Sequence, residues 1–262
     1  MFDSLESTFI TDDIRIELAG QNTLMLYFGT NESTTAKQVA VISPAISNKV
    51  HHAVQLIRQH LATEVIDVIP SYASLLVMFN LLEIDHHQLR NKLTTLLTQC
   101  GSDSHKKGRV VEIPVYYSPE SGIDLARIAK QARLSIEQVI SLHQAQEYRV
   151  YAVGFAPGFA YLGEVDQRIA TPRLTTPRLK VPKGAVAIAD RQTAVYPAQS
   201  PGGWNIIGLS PVDMFTAQAQ SPMLVEVGDS VKFVAIDKQQ YLELGGQLNY
   251  ATTASGETNS KE

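Results

Sequence analysis

"YRVYAVGFAPGFAYLG" (residues 148–163) is the stretch on which the fold turns. An apolar run ends in Gly154-Phe155, a proline follows, and Gly158-Phe159 opens a second apolar run. From Tyr148 onward this rhythm persists. The runs "YRVYAVGF", "AVAIA", "TAVYP", "WNIIGL", "MLVEVG" and "SVKFVAI" are separated by proline and glycine about every eight to twelve residues. Short strands cut by turn residues predict a β-barrel or sandwich rather than more helices. Ahead of them stand a strand, "RVVEIPVYY" (109–117), and two short helices at about 123–132 and 135–144. The second helix is entered through Ser135, with Glu137 in its first turn.

The N-terminal part reads differently. "IRIELAGQNTLMLYFG" (14–29) alternates apolar and polar residues and breaks at Gly20-Gln21-Asn22, which predicts a hairpin. "KVHHAVQLIRQHL" (49–61) places Val50, Ala53, Val54, Ile57 and Leu61 at helical spacing. "VIDVIPS" and "SLLVMF" read as strands, and "DHHQLRNKLTTLLTQC" (85–100) as a helix capped by Asp85, with Leu89, Leu93, Leu96 and Leu97 on one face. The order ββαββα predicts an α+β domain with helices on one side of an antiparallel sheet. "GSDSHKKG" (101–108) is polar and bounded by glycines, and it reads as the linker. The expected organisation is an α+β domain over 1–105, a β-barrel domain over 106–245 and a polar tail over 246–262.

Composition excludes several classes. The chain has 262 residues, 44% hydrophobic and 18% charged, which is the balance of a globular protein. A net charge of −4 offers no basic field for nucleic acid or anionic lipid. Cys100 is the sole cysteine, so no disulfide scaffold exists and a reducing compartment is expected. The opening "MFDSLESTFI" carries acids where a signal peptide needs positive charge, and no apolar run nears a membrane span. A cytoplasmic protein is expected.

Phosphate-loop, dinucleotide-fold and H-E-x-x-H motifs are absent. The pairs His51-His52 and His86-His87 sit on helices, where neighbouring side chains diverge and cannot share one ion, so no metal site is predicted. Cys100 reads as a buried structural thiol. "ATPRLTTPRLKVPKG" (170–184) is more informative, with Thr-Pro-Arg twice, at Arg173 and Arg178, then Lys180 and Lys183. Proline keeps such a segment extended, and arginine forks suit a carboxylate or phosphate. The competing reading is a solvated loop, and composition alone leans toward it. In "SPGGW" (200–204) the glycines leave backbone N–H groups open to an anion, while Trp204, the only tryptophan, offers a flat surface. A tight turn that buries its indole accounts for the same residues equally well.

Three blocks, "GFAPGFAYLG", "TPRLTTPRLKVPKGAVAIADRQTAVYP" and "SPGGWNIIGLSPVDMF", closely resemble the signatures of the allophanate hydrolase subunit 1 family. That family includes the B subunits of 5-oxoprolinase and the sporulation-kinase inhibitor KipI. The resemblance is strong over roughly 110–235, and upstream His143 falls at the family's helix-end histidine. It implies a ferredoxin-like α+β domain followed by a cyclophilin-like β-barrel. It also implies work with two partners, the related C subunit and the A subunit of 5-oxoprolinase. The assembly would hydrolyse 5-oxoproline to glutamate with ATP as co-substrate, this chain being inactive alone. The alternatives within the family are a kinase inhibitor and the carboxyltransferase part of a urea carboxylase-like system.

For the lactam chemistry, Arg173, Arg178, Lys183, Gln192 and the Gly202 and Gly203 amides are the expected substrate-binding groups, walled by Phe155, Phe159, Tyr161 and Trp204. His143 and Asp190 are the candidate bases, each with a structural reading beside it. The chain departs from the family pattern at Asp190-Arg191 and Ala194, where glycines are common, and at Leu209-Ser210, where a basic residue and threonine are usual.

Overall fold

Alternating sequence becomes sheet wherever one face can be buried, and both parts of the chain obey this rule. The structure, a computed structural model, describes residues 8–29, 43–99 and 108–248. Cys100, nearly all of the expected linker and the tail from residue 249 lie outside the described residues. The chain divides into two compact units, the second beginning at Gly108.

In the first unit, β1 (Thr8–Thr11), β2 (Ile14–Gly20), β3 (Thr23–Phe28), β4 (Val65–Pro70) and β5 (Ser74–Phe79) form one antiparallel sheet in the order β1-β2-β3-β5-β4. Helices α1 (Pro44–His60) and α2 (His86–Gln99) cover it. The strands β2 to β5 with their two helices make the ferredoxin-like arrangement, its outer strand supplied from in front of the unit rather than behind it. β1 extends that edge and has no counterpart in the sequence reading. The stripe Val50, Ala53, Val54, Ile57 and Leu61 is buried, as its spacing requires. α1 begins five residues earlier than its apolar stripe suggests, because Ser43 accepts from the Ile46 N–H and Pro44 fits the first turn. Asp85 caps α2 by accepting from the Gln88 N–H at 2.8 Å.

The second unit is a closed barrel. Its strands are β6 (Val110–Tyr116), β7 (Glu147–Val153), β8 (Ala160–Gly163), β10 (Ala185–Ala189), β11 (Gln192–Val195), β13 (Asn205–Leu209) and β14 (Ser230–Ile236). Around the wall the order is β10-β11-β8-β7-β14-β6-β13, with β13 returning to β10. Every pairing is antiparallel except β6 with β14, which run parallel from Val110 opposite Ser230 to Tyr116 opposite Ile236. A separate ribbon pairs β9 (Arg178–Val181) with β12 (Ser200–Gly202). Helices α3 (Leu125–Ala132) and α4 (Ile136–Gln144) pack into the barrel core through Leu125, Ile128 and Val139, and α5 (Lys238–Glu243) follows the last strand.

One expected strand does not form. "MLVEVG" keeps only an isolated bridge between Met223 and Phe215. The Asp229 carboxylate explains it, because it accepts from the Glu226 N–H and the Arg109 N–H, both at 3.0 Å, and pairs with the Arg109 guanidinium at 2.7 Å. The segment is drawn into a turn before it can pair. Among the described residues no helix is long and apolar enough to cross a membrane.

Candidate functional site

The run "AVAIA" is apolar at every position because β10 is buried on both faces. Val186 and Ile188 point into the barrel, while Ala185, Ala187 and Ala189 face outward with Ala194 of β11 and Ile206 of β13. Small side chains leave an outer shelf deep enough for rings, and Phe159 fills it. Its ring meets Tyr161, Tyr196 and Trp204 edge-on at centroid distances of 4.9, 5.2 and 5.7 Å, and Phe155 at 5.3 Å. Such contacts add about 0.5–1.5 kcal/mol each beyond area burial.

The doubled Gly-Phe turn therefore splits its two aromatics. Phe159 is buried, whereas Phe155 is 67% exposed and holds a left-handed backbone with φ of 74°. Gly154 N–H donates to the Phe159 carbonyl and Phe159 N–H to the Ala156 carbonyl, which closes the turn. Gly158 is obligatory there: φ is 85°, and a Cβ would lie 2.9 Å from the Met214 carbonyl oxygen.

The two Thr-Pro-Arg copies also part company. Arg173 is exposed and lies over the Trp204 ring, 5.7 Å from its centroid, and among the described residues no carboxylate pairs with it. Arg178 instead donates to Asp124 Oδ1 at 2.8 Å and to the Trp204 carbonyl at 3.3 Å. Lys183 pairs with Asp213 at 2.5 Å in an exposed ion pair. The loop bearing Arg173 is fastened from below, where buried Asn205 Nδ2 donates to the Pro172 and Ile188 carbonyls at 3.0 and 2.9 Å. From the side, the Leu174 N–H donates to the Gly203 carbonyl at 2.7 Å. Gly202 packs against the Tyr196 hydroxyl, which a Cβ would approach to 2.3 Å. Burial raises the Tyr196 hydroxyl's pKa, and a hydrogen bond with the Trp204 backbone and the nearby charges of Arg173 and Arg178 oppose that rise.

The two candidate bases stand in different settings, one buried and one exposed. His143 is sealed inside the barrel and stacked on Phe233 at 4.7 Å. Its Nε2 meets Thr193 Oγ1 at 2.9 Å and its Nδ1 meets the Tyr117 hydroxyl at 2.8 Å. Thr193 Oγ1 donates to the Ala187 carbonyl, so it must accept from His143; the proton sits on Nε2, and Tyr117 donates to Nδ1. Burial lowers the His143 pKa to about 3, which holds the ring neutral. In this chain His143 is thus a buried, neutral ring with both nitrogens engaged, the structural setting read beside its candidacy as a base. Asp190 is an exposed turn residue with φ of 53°, its N–H donating to the Thr171 carbonyl at 2.7 Å beside the Arg173 loop. A glycine would take such a backbone without strain. Gln192 begins the next strand, opposite Ala189 and Gly163.

The structure thus groups Arg173, Arg178, Phe155, Phe159, Tyr161, Trp204, Gly202 and Gly203 along one outer face of the barrel, with Asp190 beside their loop. It adds Tyr196 and Asp124, which sequence reasoning missed. Tyr196 carried a signal, being the outward residue two positions after Ala194. Asp124 carried none, since an acid at a helix start reads as a cap. Among the described residues no cluster of histidine, cysteine and carboxylates is poised to hold a metal.

This face sits in a chain whose residues 14–225 match the family described as carboxyltransferase domain, subdomains C and D. The chain belongs to that family. It is 37% identical to the B subunit of Bacillus subtilis 5-oxoprolinase over 237 residues, which is 87% of this chain and 95% of the relative. Over 128 residues it is 46% identical to the 5-oxoprolinase B subunit of Escherichia coli O157:H7, covering 49% of this chain and 59% of that one. Among solved structures, TTHA0988 superposes with a TM-score of 0.70 at 33% identity, over 82% of this chain and 40% of that longer chain. The Kluyveromyces lactis urea amidolyase shares the fold, with a TM-score of 0.66 at 15% identity over 89% of this chain and 15% of that one.

Proposed function

We propose that this chain is the B subunit of a cytoplasmic, ATP-dependent 5-oxoprolinase, inactive until it joins homologues of the C and A subunits. The observation that carries the reading is the 37% identity to the Bacillus subtilis B subunit along 95% of that protein. The site chemistry is compatible with it. A lactam resists water because its amide is resonance-stabilised. Transfer of the ATP γ-phosphoryl to the lactam oxygen, with ADP leaving, makes the ring carbon electrophilic. Water adds there, the C–N bond opens as the ring nitrogen takes up a proton, and a second water cleaves the resulting acyl phosphate to glutamate and phosphate. What this chain contributes is position and charge: Arg173, resting on the buried Trp204 ring, to take the substrate carboxylate, and the half-buried Tyr161 to flank the lactam.

The test is glutamate release from 5-oxoproline and ATP, measured for the chain alone and mixed with its C and A homologues. Activity is expected only in the mixture. Arg173→Ala is expected to raise KM for 5-oxoproline by about 10- to 100-fold, the worth of one charge-assisted contact, without loss of complex formation. A folded mixture that releases no glutamate would shift the reading to kinase regulation, and an unchanged KM would move the carboxylate away from Arg173.

A further inference from the structure

We propose that Asp124 is a positioning residue for this site, and that Arg178 serves it as a structural partner instead of touching substrate. The catalytic part of the proposal rests on the 5-oxoprolinase reading. Asp124 is 4% exposed, and its side chain does not cap its own helix. Its two oxygens are spent on distant segments: Oδ1 accepts from Arg178 of β9 at 2.8 Å, and Oδ2 accepts from the Ile206 N–H of β13 at 2.7 Å. The Asp124 N–H donates in turn to the Ile206 carbonyl at 3.0 Å. Arg127 stands 3.8 Å away on the same carboxylate.

The effect falls on Trp204. Its carbonyl is held by Arg178 Nη1, and two residues on, the strand is held by Asp124 itself, so the backbone leaving the Gly-Gly turn is fixed at two points. The approach is tight enough to demand glycine two residues before Asp124: a Cβ on Gly122 would lie 2.3 Å from the Ile207 carbonyl oxygen. Trp204 in turn carries Arg173 on its face. One carboxylate therefore sets the platform on which the exposed arginine rests. It also neutralises Arg178, the inner member of the Thr-Pro-Arg echo.

Charge gives the proposal a sign. Asp124→Asn keeps the shape and the acceptor for Ile206 but leaves Arg178 without its counter-charge. Were Arg178 the ligand of an anionic substrate, the added positive potential would tighten binding. A positioning role predicts the reverse. The experiment compares wild type, Asp124→Asn and Arg178→Lys, reading Trp204 emission in the chain alone and KM and kcat in the assembled mixture. Trp204 is the only tryptophan in this chain, so its emission reports this turn directly.

Both variants are expected to red-shift that emission and to raise KM by about 10-fold while kcat stays within about 3-fold, because lysine keeps the charge but not the fork that reaches two acceptors. A KM for Asp124→Asn at or below wild type, or emission unchanged in both variants, would overturn the proposal. Should Asp124→Asn fail to fold by circular dichroism, the emission of Arg178→Lys decides the positioning of Trp204: a red shift supports it and an unchanged spectrum overturns it. An inactive wild-type mixture would sink the functional reading, whereas positioning would still be decided by the emission.

Discussion

Phe159→Ala is expected to lower the stability of the barrel unit by about 3–5 kcal/mol, the range for deleting a fully buried phenylalanine. The large value follows from what surrounds the ring. Beneath it are Ala185, Ala187, Ala189 and Ala194, which have no side-chain length with which to fill a void. Around it stand Tyr161, Tyr196 and Trp204, each losing an edge-on partner. Denaturant unfolding followed by Trp204 emission measures the effect in the right unit. Phe159→Leu, which refills most of the space, should recover more than half of the loss. A cost below about 1 kcal/mol for the alanine variant would mean that the cluster is not close-packed.

Acid is expected to weaken the same unit well above the range where carboxylates titrate. The folded state holds His143 neutral down to about pH 3, whereas an unfolded chain protonates it near its ordinary value of 6.5. Between those values the unfolded state binds one proton more, so stability is fully present above about pH 6.5 and declines as pH falls through the window, by about 1.4 kcal/mol per unit. From pH 7.5 to 4.5 the loss amounts to about 2.5 kcal/mol. In this unit Asp166, held low by its hydrogen bonds with Arg168, adds its own loss only at lower pH. Unfolding free energies across this window should show the slope in wild type and a flatter profile in His143→Gln, which cannot titrate. Parallel profiles would mean that the folded barrel admits a proton to the ring.

The barrel was legible because its physics is local. Short apolar runs cut by glycine and proline about every eight to twelve residues mark its strands, while the burial of "AVAIA" on both faces emerged only in the structure. The site was legible only in part. Phe155 and Phe159 share the same Gly-Phe setting, as Arg173 and Arg178 share Thr-Pro-Arg, yet each pair ends with one member outward and one committed to the interior. The partner that decides the second pair, Asp124, is 54 residues from Arg178 and 82 from Ile206. Local sequence cannot supply such a contact. The setting of His143 is equally non-local: Tyr117 and Thr193, 26 and 50 residues away, engage its two ring nitrogens. The strands that escaped reading, β1, β9 and β12, contain no run of more than two apolar residues.

The parallel seam between β6 and β14 bears on how the polypeptide reaches this state. β6 is the first strand of its unit and β14 the last, while on its other side β6 touches β13 through a single residue pair, Leu209 with Tyr116. The seam joins Val110 to Ser230, so closing the barrel means closing a loop over most of the unit, a slow, entropically costly step. During synthesis the first unit acquires all of its sheet partners by Phe79, and it can fold as it emerges. The barrel must wait until Ile236 has been made. Until then its inner face, with Tyr148, Val186 and Ile188, has nowhere to hide, and that interval is when the nascent chain is most exposed to aggregation.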